Sequence, residues 1–506
     1  MTSPSSADDR STDAQPDGID PVELEIALKV FRQLPQLPPD HPDVTTVKRA
    51  ASHVYKQLKF DQRSRKRRRV SEADQAVIAA TATGSPERID DETAGLALTS
   101  TAKGAYAGEL IKARGCYICK NDYTLVDAFY HWLCPTCAEM SHAKREARTD
   151  LTGRRALLTG GRAKIGMYIA LRLLRDGADL TITTRFPHDA VRRFAAVPDS
   201  SDWLGRLTVV GIDLRDPTQV IGLADRVAAA GPLDILINNA AQTVRRAPGS
   251  YSRLVEAESA PLPDDAGIAE LITFDGISDA HPAAIAGTLS EHAVAHHDGE
   301  SAAQAQTAQT AAAMTALALQ GGNASLAKHL DGTAVDAGGL LPDLQTVNSW
   351  TQHVDEVDPL ELLEVQLCNA TAPFILISRL RPAMRASSAR RKYVVNVSAM
   401  EGQFSRRYKG PGHPHTNMAK AALNMLTRTS AGEMFETDKI LMTAVDTGWI
   451  TDERPHQDKL RIAAEGWHAP LDLVDGAARV YDPIVRGEAG EDLYGAFVKD
   501  YRPSPW

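Results

Sequence analysis

The chain is 506 residues long, several times an average domain, and its 43% hydrophobic content can furnish a sizeable core. A formal net charge of −9 argues against a general nucleic-acid binder. No apolar stretch reads as a membrane span, and the polar, Asp-rich start carries no secretory signal pattern; the expectation is a soluble, cytoplasmic protein.

Residues 1 to about 20 lack the apolar content for a core and read as disordered. From about 21 to 104 several short helices are expected, with Leu24, Ile26, Leu28, Val30 and Phe31 as apolar positions in the first. The basic run Arg63-Ser-Arg-Lys-Arg-Arg-Arg69 has the charge to grip a phosphate backbone or an acidic partner, but its polar neighbours favour a solvated helix or linker. Residues 105–150 hold the most specific short motif of the chain: Cys116-Tyr-Ile-Cys119, then fourteen residues, then Cys134-Pro-Thr-Cys137. Two CxxC pairs at this spacing suit a zinc ribbon, each pair taking one side of a tetrahedral ion. Such a closed four-thiolate site is structural. Disulfides are the alternative, which a reducing compartment disfavours. The fifth cysteine, Cys368, sits in an apolar helical segment as a small core residue. The aromatics Tyr117, Tyr123, Phe129, Tyr130 and Trp132 are suited to packing on a neighbouring domain.

From Leu151 to Trp506 the pattern changes. Arg155-Ala-Leu-Leu-Thr-Gly-Gly-Arg-Ala-Lys-Ile-Gly166 is a short apolar strand, a glycine turn and the start of a helix, the arrangement that seats a phosphate on a helix N-terminus. Asp179-Leu-Thr-Ile-Thr-Thr-Arg185 alternates like a second strand and ends in Arg185, where an NAD-preferring fold places an acid; an arginine there favours the 2′-phosphate of NADP. Gly211-Ile-Asp213-Leu214 and Leu233-Asp-Ile-Leu-Ile-Asn238-Asn239-Ala240-Ala241 follow. Then come Asn369-Ala-Thr-Ala-Pro-Phe374, Lys392-Tyr-Val-Val-Asn-Val-Ser398-Ala399, Thr416-Asn-Met-Ala-Lys420 and Val445-Asp-Thr447-Gly448-Trp-Ile-Thr451.

In this order the segments resemble a divergent short-chain dehydrogenase/reductase. The resemblance implies an α/β fold, a Rossmann-type doubly wound parallel sheet, here preceded by the helical N-terminal region and the small zinc ribbon. It implies that Thr159, Gly160, Arg162, Lys164, Ile165, Gly166, Arg185, Asp213, Leu214, Asn239, Ala240, Lys420, Thr447, Gly448 and Thr451 face an NADP(H) cofactor, NAD(H) being the weaker fit. Lys164 replaces the middle glycine of the family's TGxxxGxG pattern. Asn369 and Lys420 match the family's active-site asparagine and lysine, and Ser398 precedes Ala399, which stands where relatives have their catalytic serine. The family's tyrosine is Thr416, whose aliphatic hydroxyl is far more basic than a phenol near ~10.

A relocated acid is therefore expected, and His413, His415 and Tyr408 stand just upstream. An imidazole titrating near neutrality suits that work; a loop-capping or solvent-exposed histidine pair is the plain alternative. Between Asn239 and Asn369 the chain carries about 100 extra residues, roughly 245–350, more than a simple connection needs, with an Ala/Gln-rich part from Ala302 to Leu319. Leaving the fourth strand beside the nicotinamide end of the cleft, it is expected over the substrate site as lid, oligomer contact or partner surface.

Two functions follow from the pattern. One is an NADP(H)-dependent oxidoreductase acting on a carbonyl or hydroxyl small molecule with a non-standard proton donor. The other is a catalytically degenerate NADP(H)-binding sensor or scaffold that engages a macromolecular partner. The helices Leu362–Met384 and Thr416–Glu433 match those that pair subunits in relatives, so a homodimer or homotetramer is expected.

Overall fold

The computed structural model describes residues 18–88, 97–246, 248–262, 267–268, 270–274, 276–285, 336–341, 345–451 and 453–506. The Ala/Gln-rich stretch from Ala302 to Leu319 and the first 17 residues lie outside them. Two compact units result, residues 1–73 and 74–506.

Among the described residues the N-terminal region holds two α-helices and a short 3-10 turn, Leu34–Gln36, the second α-helix being long. Helix α1 spans Pro21–Gln33, and the Asp20 carboxylate caps it by accepting the Val22 N–H at 2.7 Å; none of its residues is buried. Helix α2 runs over Pro42–Ala79. The basic run Arg63 to Arg69 lies within it and is exposed throughout, which is the solvated-helix arrangement.

The second unit opens with an antiparallel ribbon, β1 (Tyr106–Gly115) and β2 (Asp122–Asp127), followed by α3 (Pro135–Glu146). Strands and helices then alternate: β3 (Arg155–Leu158), α4 (Lys164–Arg175), β4 (Asp179–Thr184), α5 (Pro187–Ala195), β5 (Leu207–Gly211), α6 (Pro217–Ala229), β6 (Ile235–Asn238). Out of the insertion come α7 (Ser252–Ser259) and β7 (Glu270–Thr273). The fold resumes with α8 (Pro359–Gln366), a π-helical turn over Leu367–Thr371, α9 (Ala372–Arg385), β8 (Lys392–Ser398), α10 (Pro414–Asp438), β9 (Ile440–Asp446), α11 (His456–Ala464), α12 (Leu473–Glu488), β10 (Phe497–Lys499) and β11 (Arg502–Ser504).

The strands form one nine-stranded sheet in the order β11-β10-β9-β8-β6-β3-β4-β5-β7. All neighbours are parallel except β10 and β11. Runs such as Ile235-Leu-Ile-Asn238 and Ile440-Leu-Met-Thr-Ala-Val-Asp446 are buried along their whole length, because helices cover both faces of a parallel sheet. One face packs Ile169, Leu173 and Leu174 of α4 with Val480, Tyr481 and Ile484 of α12; the other packs Leu223 and Val227 of α6 with Leu376 and Leu380 of α9. The insertion adds β7 to the free edge of β5, with Thr208 opposite Glu270. The segment Pro359–Arg385 does reach the length and apolarity of a membrane span, contrary to the sequence expectation, yet Leu376, Ile377, Leu380 and Met384 are part of the core.

A buried charge network ties the sheet edge to α8. The Arg215 guanidinium donates to Asp213 through Nη2 at 2.6 Å and to Glu364 Oε1 through Nη1 at 2.9 Å; all three side chains are buried. Glu364 also receives Arg245 at 3.1 Å and the Gln242 amide at 2.8 Å. Arg215→Ala strands two carboxylates in the core, and breaking a buried pair this way costs about 3–5 kcal/mol. Urea unfolding of the variant is expected to show that loss; a change below about 1 kcal/mol, the scale of an exposed pair, would contradict it.

Candidate functional site

β3 ends at Leu158 and α4 begins at Lys164, so the turn between them crosses the carboxyl edge of the sheet where strand order reverses, the place such folds bind nucleotides. Thr159 latches this turn to the one after β6: its hydroxyl accepts the N–H groups of Asn239 and Ala240, each at 3.0 Å. The Asn239 side chain donates back to the Thr159 and Gly160 carbonyls, both at 3.1 Å. Thr159 therefore holds the cleft together without lining it. Gly160 is left-handed (φ 68°), and a Cβ there would lie 2.9 Å from Ala240 Cα; one on Gly166 would lie 2.0 Å from the Gly160 carbonyl oxygen. Lys164 is left-handed as well (φ 52°), a conformation costing a residue with Cβ about 1–2 kcal/mol. Its ammonium meets Asp336 of the insertion at 3.1 Å. No side chain caps α4, so its first N–H groups are open to an anion.

A cleft of about 450 Å³ runs across this edge, a volume typical of small-molecule sites. Arg162, Lys164, Arg185, Phe186, Tyr251 and Leu340 line one end. Arg162 is half-buried against Asp189 and lies over the Phe186 ring; Arg185 lies beside the Phe186 and Tyr251 rings, 5.9 and 5.7 Å from their centroids. Much of this wall is insertion. Tyr251 stacks on Phe186 with centroids 6.1 Å apart, Leu341 donates its N–H to the Ser250 carbonyl, and Asp336 accepts the N–H groups of Gly338 and Leu340, both at 2.8 Å. These described parts cover the Arg185 end, and the returning end, at Trp350, lines the cleft beside α10; residues 286–335, a large part of the insertion, lie outside the described residues. Asp213 and Leu214 line the cleft too. Burial alone would raise the Asp213 pKa, but Arg215 and His281 hold it well below the usual carboxylate range, and its carboxylate is already taken up by them.

At the far end stand Asn369, Ser398, Ala399, Glu401, Thr416 and Lys420. Asn369 sits in the π-helical turn, a feature frequent at functional sites. Its amide exchanges two hydrogen bonds with the Gln242 backbone, each 2.8 Å. The Ser398 hydroxyl donates to Asn424 at 2.6 Å and is thereby committed to α10. Lys420 donates to the Val397 carbonyl at 2.8 Å, and burial brings its pKa down to about 8. One turn earlier on the same face of α10, the buried Thr416 hydroxyl has no partner among the described residues. Glu401 at the end of β8 was missed from the sequence, though an acid three residues past the strand was a visible signal. Trp350 and Tyr251 had no local signal.

The expected proton donors do not line the cleft. His413 takes a left-handed backbone (φ 43°) and stacks on Trp350 at 3.9 Å, with Nδ1 at 2.9 Å from the Trp350 carbonyl; it clasps the end of the insertion. His415, in the first turn of α10, is buried with Glu361 of α8 4.0 Å away, and burial followed by the charge of His413 lowers its pKa to about 4. That leaves it neutral near pH 7. Tyr408 is 75% exposed. Thr447 and Thr451 line the cleft, whereas Gly448 (φ 80°) turns the loop without lining it.

The four cysteines converge from the β1–β2 turn and the start of α3. Their sulfurs all lie within 4.8 Å of one another, with Cys119 and Cys134 at 3.7 Å, close to the edge of a tetrahedron built on Zn–S bonds of about 2.3 Å. Cys116 Sγ also accepts the Cys134 N–H at 3.3 Å. The donor set fits a closed zinc site held by Cys116, Cys119, Cys134 and Cys137.

A family model for short chain dehydrogenase matches residues 154–257. A protein of Acanthamoeba polyphaga mimivirus described as uncharacterized is 30% identical over 390 residues, 73% of this chain and 71% of its own. A probable oxidoreductase of Streptomyces antibioticus is 43% identical over 94 residues, 18% of this chain and 30% of its own. Among solved structures, a short chain dehydrogenase from Burkholderia cenocepacia in complex with NADP covers 69% of this chain and 97% of its own, at 18% identity and a TM-score of 0.40.

Elemental analysis is expected to find about one zinc per chain, the content of a single four-ligand site. Chelation should lower the melting temperature, since metal binding to such a site is folding energy. Metal-free protein with an unchanged melting curve would overturn the assignment.

Proposed function

We propose that this chain, which belongs to the short-chain dehydrogenase/reductase superfamily, is an NADP(H)-dependent oxidoreductase interconverting a carbonyl and a hydroxyl compound. The observation that carries the reading is the far end of the cleft, where a buried lysine and an unpartnered hydroxyl share one helix face. The tight turn at Gly160 and Gly166, where a Cβ would strike Ala240 and the Gly160 carbonyl, and the open start of α4 suit a pyrophosphate. Arg185, with Arg162 behind it, suits the 2′-phosphate. When bound, the cofactor supplies the hydride. Asn369 and Gln242 fix the wall of the cleft, and Thr447 and Thr451 offer hydroxyls toward the nicotinamide end.

The proton comes from α10. During reduction the Thr416 hydroxyl donates to the substrate oxygen while accepting a proton from the Lys420 ammonium, which ends as a neutral amine and is recharged from water. This replaces His413, His415 and Tyr408 as donors. A threonine alone is too weak an acid, but a neighbouring group titrating near the working pH meets the requirement for general acid catalysis. Lys420 at about 8 is such a group, and Glu401, which supports its charge, lines the same end.

The competing reading, a nucleotide-binding sensor or scaffold, is favoured by one observation: Ala399 and Thr416 stand where relatives keep serine and tyrosine. Self-association remains part of the proposal, supported by the exposed Phe374 on α9 and Met418 and Met425 on α10.

Two outcomes test the reading. Calorimetric titration should show NADPH binding more tightly than NADH, with Arg185→Ala removing about tenfold or more of the difference, a charge-assisted hydrogen bond being worth about 1.5–3 kcal/mol; equal affinities would refute the cofactor choice. NADPH oxidation driven by a cell-extract fraction should fall about 100-fold or more in Lys420→Ala and in Thr416→Val with NADPH still bound. Because the acid form of Lys420 is needed, reduction should be level below pH about 8 and fall above it. No oxidation by the wild type, with partner affinity differing between NADPH and NADP+, would favour the sensor.

A further inference from the structure

The cysteine module reaches the cleft at the loop after β9, and also through Ile165 and Leu473, which line the cleft and pack against the module's apolar cluster. Tyr117, between the first two cysteines, accepts the Trp449 backbone N–H on its hydroxyl oxygen at 2.9 Å. Trp132, two residues before Cys134, sets its ring against Trp449 (centroids 6.0 Å, planes at 60°) and against Trp467 (5.7 Å). The two halves of the module brace each other, with Tyr117 donating its N–H to the Trp132 carbonyl at 2.8 Å and Trp132 Nε1 donating to the Gly115 carbonyl at 3.0 Å. Ile450 is buried in the same apolar cluster as Cys116, Cys134 and Cys137. From below, Arg88 donates to the Ile450 carbonyl at 3.3 Å and the Leu471 carbonyl at 2.7 Å. Three successive residues of the loop are thus held: Gly448 is packed against Leu471, Trp449 is bonded to Tyr117 and Ile450 is sunk among the cysteines. Their flanks, Thr447 and Thr451, are the two that line the cleft.

We infer that Tyr117 is a positioning residue for the cofactor, and that the four-cysteine module sets the Thr447–Thr451 loop so that filling the cluster and binding the nicotinamide half are coupled. The inference rests on the oxidoreductase reading for its ligand, and on the contacts above for its geometry. A ribbon serving only to stabilise its own fold has no need to spend the Tyr117 hydroxyl on a loop more than 300 residues away. Coupling of this kind is reciprocal: a loaded cluster favours NADPH, and NADPH favours a loaded cluster. The Arg185 end, walled by Phe186, Tyr251 and Leu340, which pack in a separate apolar cluster from the cysteines, is outside the coupling.

The test uses the full chain with its metal, Tyr117→Phe as the variant that keeps the ring, and two nucleotides: NADPH, and 2′,5′-ADP, which lacks the nicotinamide half. Hydrogen exchange over residues 447–451 reads the loop directly. The expected result is faster exchange there in Tyr117→Phe, NADPH affinity reduced about tenfold and 2′,5′-ADP affinity unchanged, with chelation of the wild type reproducing all three. Unchanged exchange, or an equal loss for both nucleotides, overturns the inference. If the wild type binds 2′,5′-ADP and NADPH equally and only exchange responds, the loop contact stands while the nicotinamide coupling falls. If it binds neither nucleotide, the oxidoreductase reading falls and the coupling with it.

Discussion

The buried Arg215 guanidinium is the interaction on which the geometry of the cleft depends. It stands between Asp213 at the end of the adenosine half and Glu364 on α8, and Glu364 in turn holds Gln242, whose backbone holds Asn369. One chain of hydrogen bonds, charge-assisted as far as Gln242, therefore links the two halves of a site whose elements come from the end of β5, the turn after β6, α8 and the π-helical turn after it. Burying three charges is unfavourable unless every one is paired. Here each carboxylate has two or more donors, so the network specifies an arrangement that apolar packing alone would leave free to slide.

The same accounting governs the cations around the phosphate turn. Lys164 is neutralised by Asp336 and Arg162 by Asp189, so the positive charge a phosphate would meet is partly screened by the chain itself. The insertion supplies one of those acids and the aromatic wall around Arg185. That the far end retains a buried lysine with a lowered pKa beside an orphaned hydroxyl is an energetic cost with no structural return in sight, and perturbed groups of this kind cluster where chemistry is done.

Much of this was legible in the sequence, for identifiable reasons. The glycine turn, Arg185, the Asn239-Ala240 pair, Asn369 and Lys420 are local patterns, each fixed by what a few consecutive residues must do, and the two CxxC pairs declared a tetrahedral site by spacing alone. The histidines misled because their roles come from partners far along the chain. His413 looks like a loop acid until Trp350 stacks on it, and His415 looks solvent-facing until the first turn of α10 turns it inward toward Glu361 of α8. The place of β7 was illegible for the same reason: it is a short strand whose position at the β5 edge follows from pairing, and nothing in Glu270-Leu-Ile-Thr273 says which edge it will join. Glu401 was readable and overlooked.

Hydride transfer in this cleft can be followed with NADPH carrying deuterium at the transferable nicotinamide position, incubated with the protein and a metabolite extract. A new alcohol carrying deuterium on its carbinol carbon is expected with the wild-type protein, and none when the protein is omitted. Bound NADPH whose deuterium reaches no product across extracts of different composition would contradict that transfer.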